Sequence, residues 1–104
     1  MDKPTPRINS SLREKYVGRT VRITGQLVSL SGNTAVIKST DNGQVLVHLN
    51  GESQWGTDFV EVIGQVEQDF TLREFKTTNL GNNFDLELAN KVVELGQKLP
   101  ELFE

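Results

Sequence analysis

The stretch TVRITGQLVSL, residues 20–30, shows the alternation of apolar and polar side chains that is typical of a β-strand buried on one side. Val21, Ile23 and Leu27 fall on the apolar side of this strand. Gly25 stands in the middle, where a glycine lets a strand bend or bulge and turn the corner of a small barrel. The stretch therefore predicts a long, bent first strand of a barrel.

Four more short strands follow, and turn residues separate each from the next. The predicted strands are residues 20–30, 34–40, 44–49, 59–66 and 70–78. The Ser-Gly-Asn sequence at 31–33 and the Asp-Asn-Gly sequence at 41–43 have the composition of tight turns, and Gly64 marks a second bend. Five short antiparallel strands with glycine bends favour a closed barrel over a sandwich, because a sandwich needs more strands.

The residues that precede the first strand predict a short helical turn. Ser11 and Glu14 have the spacing of a capping box, and Gly18 is a suitable left-handed helix stop. We expect Tyr16 to pack on the barrel as a core residue. Before this turn, two prolines keep the chain extended, and such a tail is expected to be mobile unless something docks it.

Residues 83–103 carry the one long helical pattern of the chain. A heptad seam, with apolar residues at alternating steps of four and three, consists of Leu88, Val92, Leu95, Leu99 and Leu102. Further apolar residues widen the apolar arc to ~200°, about twice what a one-sided surface helix needs. We therefore expect the barrel to contact Leu86, Ala89 and Val93, and a second neighbour to cover the seam. A simpler hypothesis is that the helix only plugs its own barrel, which would leave one stripe in water. Pro100 is expected to end or kink the regular helix.

The composition indicates one soluble globular domain. The chain has 104 residues, of which 36% are apolar, and it has no cysteine for a disulfide or a thiolate metal site. No stretch resembles a signal peptide or reaches the ~18 apolar residues of a membrane span, so an intracellular protein is expected. Residues 1–30 hold six basic and two acidic residues, whereas the rest of the chain holds five basic and twelve acidic residues. This distribution of charge leaves at most a local basic patch, near the N-terminus, for binding nucleic acid.

Catalysis is not expected, because the residue types that catalytic and metal sites need are scarce. His48 is the one histidine and stands within a predicted strand, without a cysteine or a second histidine to share a metal ion. We expect it on the barrel surface. No glycine-rich phosphate-binding loop is visible. The sequence therefore predicts no enzyme, no cofactor, no metal site and no small-molecule substrate.

Single-stranded nucleic acid is the ligand that small five-stranded barrels commonly bind, by stacking bases on exposed aromatic residues in a basic groove. Trp55, in the loop before the fourth strand, could stack a base or cover one end of the barrel, and we favour the second role. Core packing is the expected role of the other aromatic residues, which are Tyr16, Phe59, Phe70, Phe75, Phe84 and Phe103. The candidates for weak contacts to phosphate are Arg22, Lys38, Arg73 and Lys76. Direct DNA binding is therefore expected to be weak.

Several short segments carry a resemblance to a known family by their order and spacing. They are PRIN at 6–9, YVGR at 16–19, VRITGQL at 21–27, VEVIGQV at 60–66 and FDL at 84–86. With these segments the chain resembles the smallest subunit of replication protein A, the eukaryotic heterotrimeric complex that binds single-stranded DNA, over nearly its whole length. The resemblance implies a mainly β protein with an OB-fold barrel and a C-terminal helix. It also implies one compact domain, in which residues 1–82 form an N-terminal extension and the barrel and residues 83–104 form a trimerisation helix.

The function that this resemblance implies is assembly. In the family, the C-terminal helix packs in parallel with one helix from each of the large and middle subunits, which make most of the contacts to DNA. The subunit-interface positions carried over to this sequence are Leu88, Val92, Leu95, Leu99, Leu102 and Phe103. The chain would then act in the nucleus, in DNA replication, repair and recombination, with little DNA contact of its own. Ala89 departs from the family, whose members often have an aromatic residue there, and the loop at 31–33 is too short to reach around a DNA strand.

Two alternatives stay open on the sequence. The small subunit of the telomere-capping trimer is built on a similar plan, and fold alone does not separate it from the replication protein A subunit. The other alternative is a stand-alone module that binds single-stranded nucleic acid weakly through the barrel itself.

Overall fold

The structure, a computed structural model, describes residues 5–51 and 55–98. Within these residues, five strands form a closed barrel and a sixth, short strand extends its edge. The strands are β1 (Arg7–Ile8), β2 (Thr20–Ser31), β3 (Thr34–Ser39), β4 (Gln44–His48), β5 (Phe59–Val66) and β6 (Leu72–Gly81). The order in the sheet is β1-β2-β3-β4-β6-β5, and β5 pairs again with β2. The predicted five-stranded barrel is therefore confirmed.

Strand pairing is antiparallel except at two places. β1 runs parallel to β2, and β4 runs parallel to β6, where Val47 pairs with Leu72 and closes the barrel. The first four barrel strands lie within one residue of their predicted bounds. The last strand begins at Leu72 and not at residue 70, because Phe70 has a φ of 66° and belongs to the preceding turn.

The two glycines that were expected at bends have separable roles. The bulge in β2 lies at Val28, between the registers of Leu27 and Ser29, and not at Gly25. Gly25 instead allows close approach, since a Cβ atom there would lie 2.7 Å from the carbonyl oxygen of Lys38. Gly64 does face a bulge, because β5 changes register there against β6. Bulges of this kind bend the strands and help the sheet to close.

The core fills the barrel with aliphatic side chains from all six strands. The fully or almost fully buried members of this cluster are Ile8, Val21, Ile23, Ile37, Val45, Val47, Val60, Val62, Val66 and Leu72. Most of them are β-branched, which suits a pleated and tightly packed sheet. Each such side chain contributes roughly 1.5–3 kcal/mol through its removal from water.

The sequence analysis expected a mobile tail unless something docks it, and residues 6–8 are docked against β2. Ile8 is fully buried, and the backbone N–H of Arg22 donates to the carbonyl oxygen of Pro6 at 2.8 Å. A 3-10 helix, Ser10–Tyr16, then carries Tyr16 into the core, as expected. The capping box is absent from this helix. Its N-terminus is capped by Asp41 from the β3–β4 turn, whose carboxylate accepts from the Ser10 hydroxyl at 2.8 Å.

One α-helix, α1 (Leu86–Lys98), lies within the described part of the chain and packs against the barrel near β1 and β2. Its first turn is capped by Asp85, which accepts from the backbone N–H of Leu88 at 3.0 Å. The helix begins three residues later than the predicted start at 83, and residues 99–103 of the prediction lie outside the described residues. Asn90 accepts from the Asn9 amide at 3.0 Å and from the Thr40 hydroxyl at 2.9 Å, which ties the helix to two parts of the barrel. Neither α1 nor the 3-10 helix, which are the helices in residues 5–51 and 55–98, is long and apolar enough to cross a membrane.

Candidate interaction surfaces

The helix α1 has two apolar faces with different surroundings. On the inner face, Val93 is 4% exposed, and Leu86 and Ala89 are half-buried. On the outer face, the exposed fractions are 58% for Leu88, 38% for Val92 and 45% for Leu95. The inner face is therefore the more buried of the two, and the outer face is exposed. We call Leu88, Val92 and Leu95 the outer stripe.

A groove of about 360 Å³ runs beside the outer stripe, between α1 and the barrel. Its apolar lining consists of Leu80, Phe84, Leu88, Ala89, Val92 and Val93. Phe84 is held by Phe59, whose ring centroid lies 6.0 Å away. At the edge of the groove, Arg7 and Glu61 form an ion pair of 3.3 Å. The stripe and the groove together make a continuous apolar surface with a polar margin, which is the usual composition of a protein interface.

The remaining interface candidates, Leu99, Leu102 and Phe103, lie outside the described residues. The structure therefore assigns them neither exposure nor contacts. Within the described helix, the pattern of the seam continues as far as Leu95.

Trp55 covers one end of the barrel, as favoured by the sequence analysis. Its side chain is half-buried against the core cluster, and its indole N–H donates to Glu74 at 2.9 Å. It also borders a small cavity of about 240 Å³ together with Leu30 and Leu49. These contacts hold the indole ring against the core cluster.

The four candidate phosphate contacts do not form one group. Arg22, Arg73 and Lys76 lie on the outer face of β2, β5 and β6, where Arg22 and Lys76 both pair with Ile63 across the central strand. Lys38 lies apart from them on β3, where it pairs with Gln26 of β2 and Gln44 of β4. Arg73 forms an ion pair of 3.4 Å with Glu67, whereas neither Arg22 nor Lys76 has an acidic partner among the residues that the structure describes.

Two aromatic residues are more exposed than the sequence analysis expected. Phe70 and Phe75 are 39% and 45% exposed, so core packing does not account for them. Phe75 is the extra residue of the bulge in β6, where Glu74 pairs with Gly64 and Lys76 pairs with Ile63. The bulge places both Phe75 and Lys76 outward and interrupts the alternation that strand prediction relies on. The sequence contains one local indication of this exposure. Phe75 stands between Glu74 and Lys76 and therefore has no apolar neighbour along the chain.

Two acidic residues, Asp41 and Asp69, accept hydrogen bonds that stabilise turns. Burial raises the pKa of Asp41, but hydrogen bonds from Ser10, Ser11 and Gly43 outweigh it and lower that pKa below its ordinary value. Hydrogen bonds from the Thr71 side chain and backbone lower the pKa of Asp69. In residues 5–51 and 55–98, no three histidine, aspartate or glutamate side chains come close enough to hold a metal ion. His48 lies on the exposed face of β4, as expected.

Comparison with known proteins agrees with the barrel and its helix. The chain is 33% identical over 97 residues to a 14 kDa replication protein A subunit of Arabidopsis thaliana, with 91% of each chain covered. It is 30% identical over 104 residues to the replication factor A protein 3 of Schizosaccharomyces pombe, with 99% of this chain and 98% of the relative covered. Among solved structures, a chain of U. maydis replication protein A bound to single-stranded DNA matches with a TM-score of 0.96 and 36% identity, covering 100% of this chain and 99% of that chain.

A telomere capping protein, Ten1 of S. pombe, matches with a TM-score of 0.75 but only 14% identity, covering 91% of this chain and 99% of the other. That likeness concerns the fold alone. The sequence model of one family, described as "Replication factor A protein 3", matches residues 1–103. Since this match spans the barrel and α1 together, the chain belongs to the replication factor A protein 3 family.

Proposed function

We propose that this chain is the small subunit of a replication protein A complex and that it joins the large and middle subunits through the outer stripe of α1. In that complex it supports single-stranded DNA binding in replication, repair and recombination, in the nucleus, with an assembly role of its own. The observation that carries the proposal is the exposure of three apolar side chains, Leu88, Val92 and Leu95, along one face of a helix. The match to a chain of U. maydis replication protein A at 36% identity supports the choice of complex.

The spacing of the outer stripe supports a helical partner. Steps of four and three residues between Leu88, Val92 and Leu95 keep the three side chains on one seam, as in helices that pack nearly parallel. Complete burial of an apolar side chain contributes roughly 1.5–3 kcal/mol, and about half of each of these side chains is still in water. In the sequence, Leu99, Leu102 and Phe103 continue the apolar pattern, and the proposed interface extends to them.

The face of the barrel that usually binds single strands offers little support for a stand-alone module. OB-fold proteins commonly bind oligonucleotides on the second and third barrel strands, which are β3 and β4 here. The outward side chains of these strands are Thr34, Val36, Lys38, Gln44, Leu46 and His48. They include one lysine and no phenylalanine, tyrosine or tryptophan, so this face offers little for stacking and no cationic groove.

Co-expression with the large and middle subunits tests the proposal. The double variant Val92→Asp/Leu95→Asp would bury two carboxylates in the seam, and an unpaired buried charge costs about 3–5 kcal/mol. We expect at least a hundredfold loss of affinity for the partners, seen as failure to co-purify. Lys91→Asp is the matched control, because it places a carboxylate on the polar side of the same helical turn.

Circular dichroism of each variant shows whether the isolated chain keeps its fold. Val93→Asp, at the inner face, is expected to detach the helix from the barrel, whereas the double variant is expected to keep it in place. Normal co-purification of a folded double variant would show that the outer stripe is not the assembly surface.

A further inference from the structure

A second surface of the barrel has the chemistry of a nucleic-acid contact, and it is not the β3–β4 face. Phe75 is 45% exposed on the outer face of β6, and the guanidinium of Arg73 lies 5.5 Å from the centroid of its ring. Arg73 is fixed in this position by Gln65, whose side-chain oxygen accepts from it at 2.6 Å. The ring is therefore partly in water and has a cation over one face.

Basic residues continue from this ring across the sheet. Lys76 on β6 and Arg22 on β2 both pair with Ile63 of β5, and Arg22 also pairs with Arg7 of β1. Since neighbouring strands lie about 4.8 Å apart, the three steps from Lys76 to Arg7 span about 14 Å. We call the surface formed by Arg7, Arg22, Arg73, Phe75 and Lys76 the β6 platform.

The charge balance of the β6 platform favours an anionic ligand. Four basic residues face two acidic ones, since Glu61 pairs with Arg7 and Glu67 pairs with Arg73. The Nε atom of Arg22 is buried without a hydrogen-bond partner, and Lys76 has no acidic partner among the described residues. Lys76 is thus left uncompensated next to the exposed ring of Phe75, and Arg22 lies two strands away without an acidic partner among the described residues.

From this arrangement we propose that the β6 platform binds single-stranded nucleic acid directly, with a base stacked on Phe75 and the phosphates of adjacent nucleotides at Lys76 and Arg22. An aromatic ring flanked by cations is the combination that holds single strands without regard to sequence. Ile63, half-buried between Arg22 and Lys76, gives the sugar an apolar surface to cross. A protein partner is less suited, because apolar residues form the centre of most protein interfaces and here the centre of the surface is cationic.

The position of the β6 platform relative to α1 gives it access to a strand held by the complex. Arg7 belongs both to the platform and to the edge of the groove beside the outer stripe. The platform therefore lies next to the surface that we propose for the partner subunits. In this respect the inference rests on the proposed function. It adds a direct DNA contact to a subunit whose proposed role is assembly.

Photocrosslinking in the reconstituted heterotrimer tests the platform. The probe is oligothymidylate with photoreactive uracils, and the readout is the fraction of the small subunit that becomes crosslinked. Stacking is worth about 1–3 kcal/mol per base, so Phe75→Ala is expected to lower this fraction by a factor of about five or more. Phe70→Ala is the matched control, because Phe70 is similarly exposed but stands next to Asp69 and near Glu67.

A salt titration of the isolated full-length chain with the same oligonucleotide tests the cations. Removal of one phosphate contact lowers the slope of log K against log salt by about 0.7 for a single strand. Lys76→Gln is expected to show this change, and Lys38→Gln, which removes the same charge on the β3–β4 face, is expected to leave the slope unchanged.

Three results would overturn the proposal. They are an unchanged crosslink in Phe75→Ala, a larger effect of Lys38→Gln than of Lys76→Gln, or loss of co-purification in Phe75→Ala, which would make this surface a protein contact. If the wild-type chain does not co-purify with the large and middle subunits, the proposed function fails, and crosslinking of the isolated chain still decides whether the platform binds a single strand.

Discussion

The indole N–H of Trp55 donates to the carboxylate of Glu74 at 2.9 Å, across the end of the barrel. Glu74 is only 2% exposed, and it also accepts from the hydroxyl of Thr77 and, at 3.0 Å, from the backbone N–H of Asn50. A buried carboxylate is tolerated only when such donors surround it. The loop before β5 is therefore anchored to β6 by a polar contact beside the apolar core.

Trp55→Phe should lower the stability of the chain. The substitution keeps an aromatic ring over the barrel end but removes one donor from a buried carboxylate, which costs about 1–3 kcal/mol. Chemical denaturation followed by far-ultraviolet circular dichroism measures the loss, since the variant lacks the one tryptophan of the chain. Adding Glu74→Gln should restore part of it by removing the charge. Equal unfolding midpoints for Trp55→Phe and wild type would contradict this role.

Asp41→Ala should destabilise the chain at neutral pH by about 1–2 kcal/mol, because the 3-10 helix loses its N-terminal cap. Burial opposes ionisation of Asp41, but its hydrogen bonds prevail and its folded-state pKa lies below the ordinary value. The stabilisation is therefore fully present above about pH 4 and is lost as the pH falls through the folded-state pKa.

The difference in unfolding free energy between wild type and Asp41→Ala should accordingly shrink between neutral pH and about pH 3. Denaturation series at several pH values measure it. Asp58→Ala, which removes an exposed carboxylate from the loop before β5, is the control and should cost little. A pH-independent difference for Asp41→Ala would mean that its charge has no part in capping.

Gly25→Ala should cost more than about 2 kcal/mol. A Cβ atom at this position would lie 2.7 Å from the Lys38 carbonyl oxygen and 3.1 Å from a methyl carbon of Ile37, inside the paired sheet. Gly56→Ala is the matched control, because the nearest atom to its Cβ, in the Asn79 amide, would be 4.0 Å away. Thermal unfolding of both variants provides the comparison. A similar melting temperature for the two would show that β2 and β3 can separate enough to accept a methyl group.

Strand bounds were predictable where alternation and turn chemistry coincide, as in β5, whose bounds match the prediction. They were not predictable where a tertiary contact decides. β1 exists because Ile8 is buried beside β2, and two residues are too few to show a pattern. The cap of the 3-10 helix comes from Asp41, thirty residues away from Ser11, and so the local capping-box spacing was misleading.

The candidate surfaces also differ in whether local sequence or tertiary contacts determine them. The two faces of α1 followed from helical periodicity, and the exposures of Val92 and Val93 agree with it. The β6 platform could not be predicted from the sequence. The bulge at Phe75 breaks the two-residue period of the strand, and Arg22, Ile63 and Lys76 become neighbours only through strand pairing. Which side chains lie next to each other across a sheet depends on strand register, and the bulge changes that register between β5 and β6.

The hydrogen bonds between α1 and the first half of the chain join residues that are synthesised at different times. Asn90 binds Asn9 and Thr40, and Gln97 donates to the hydroxyl of Tyr16, so the seat of the helix is made of residues that leave the ribosome long before the helix does. Domains generally fold as units during or after synthesis. A nascent chain that stalls within the barrel therefore carries no outer stripe.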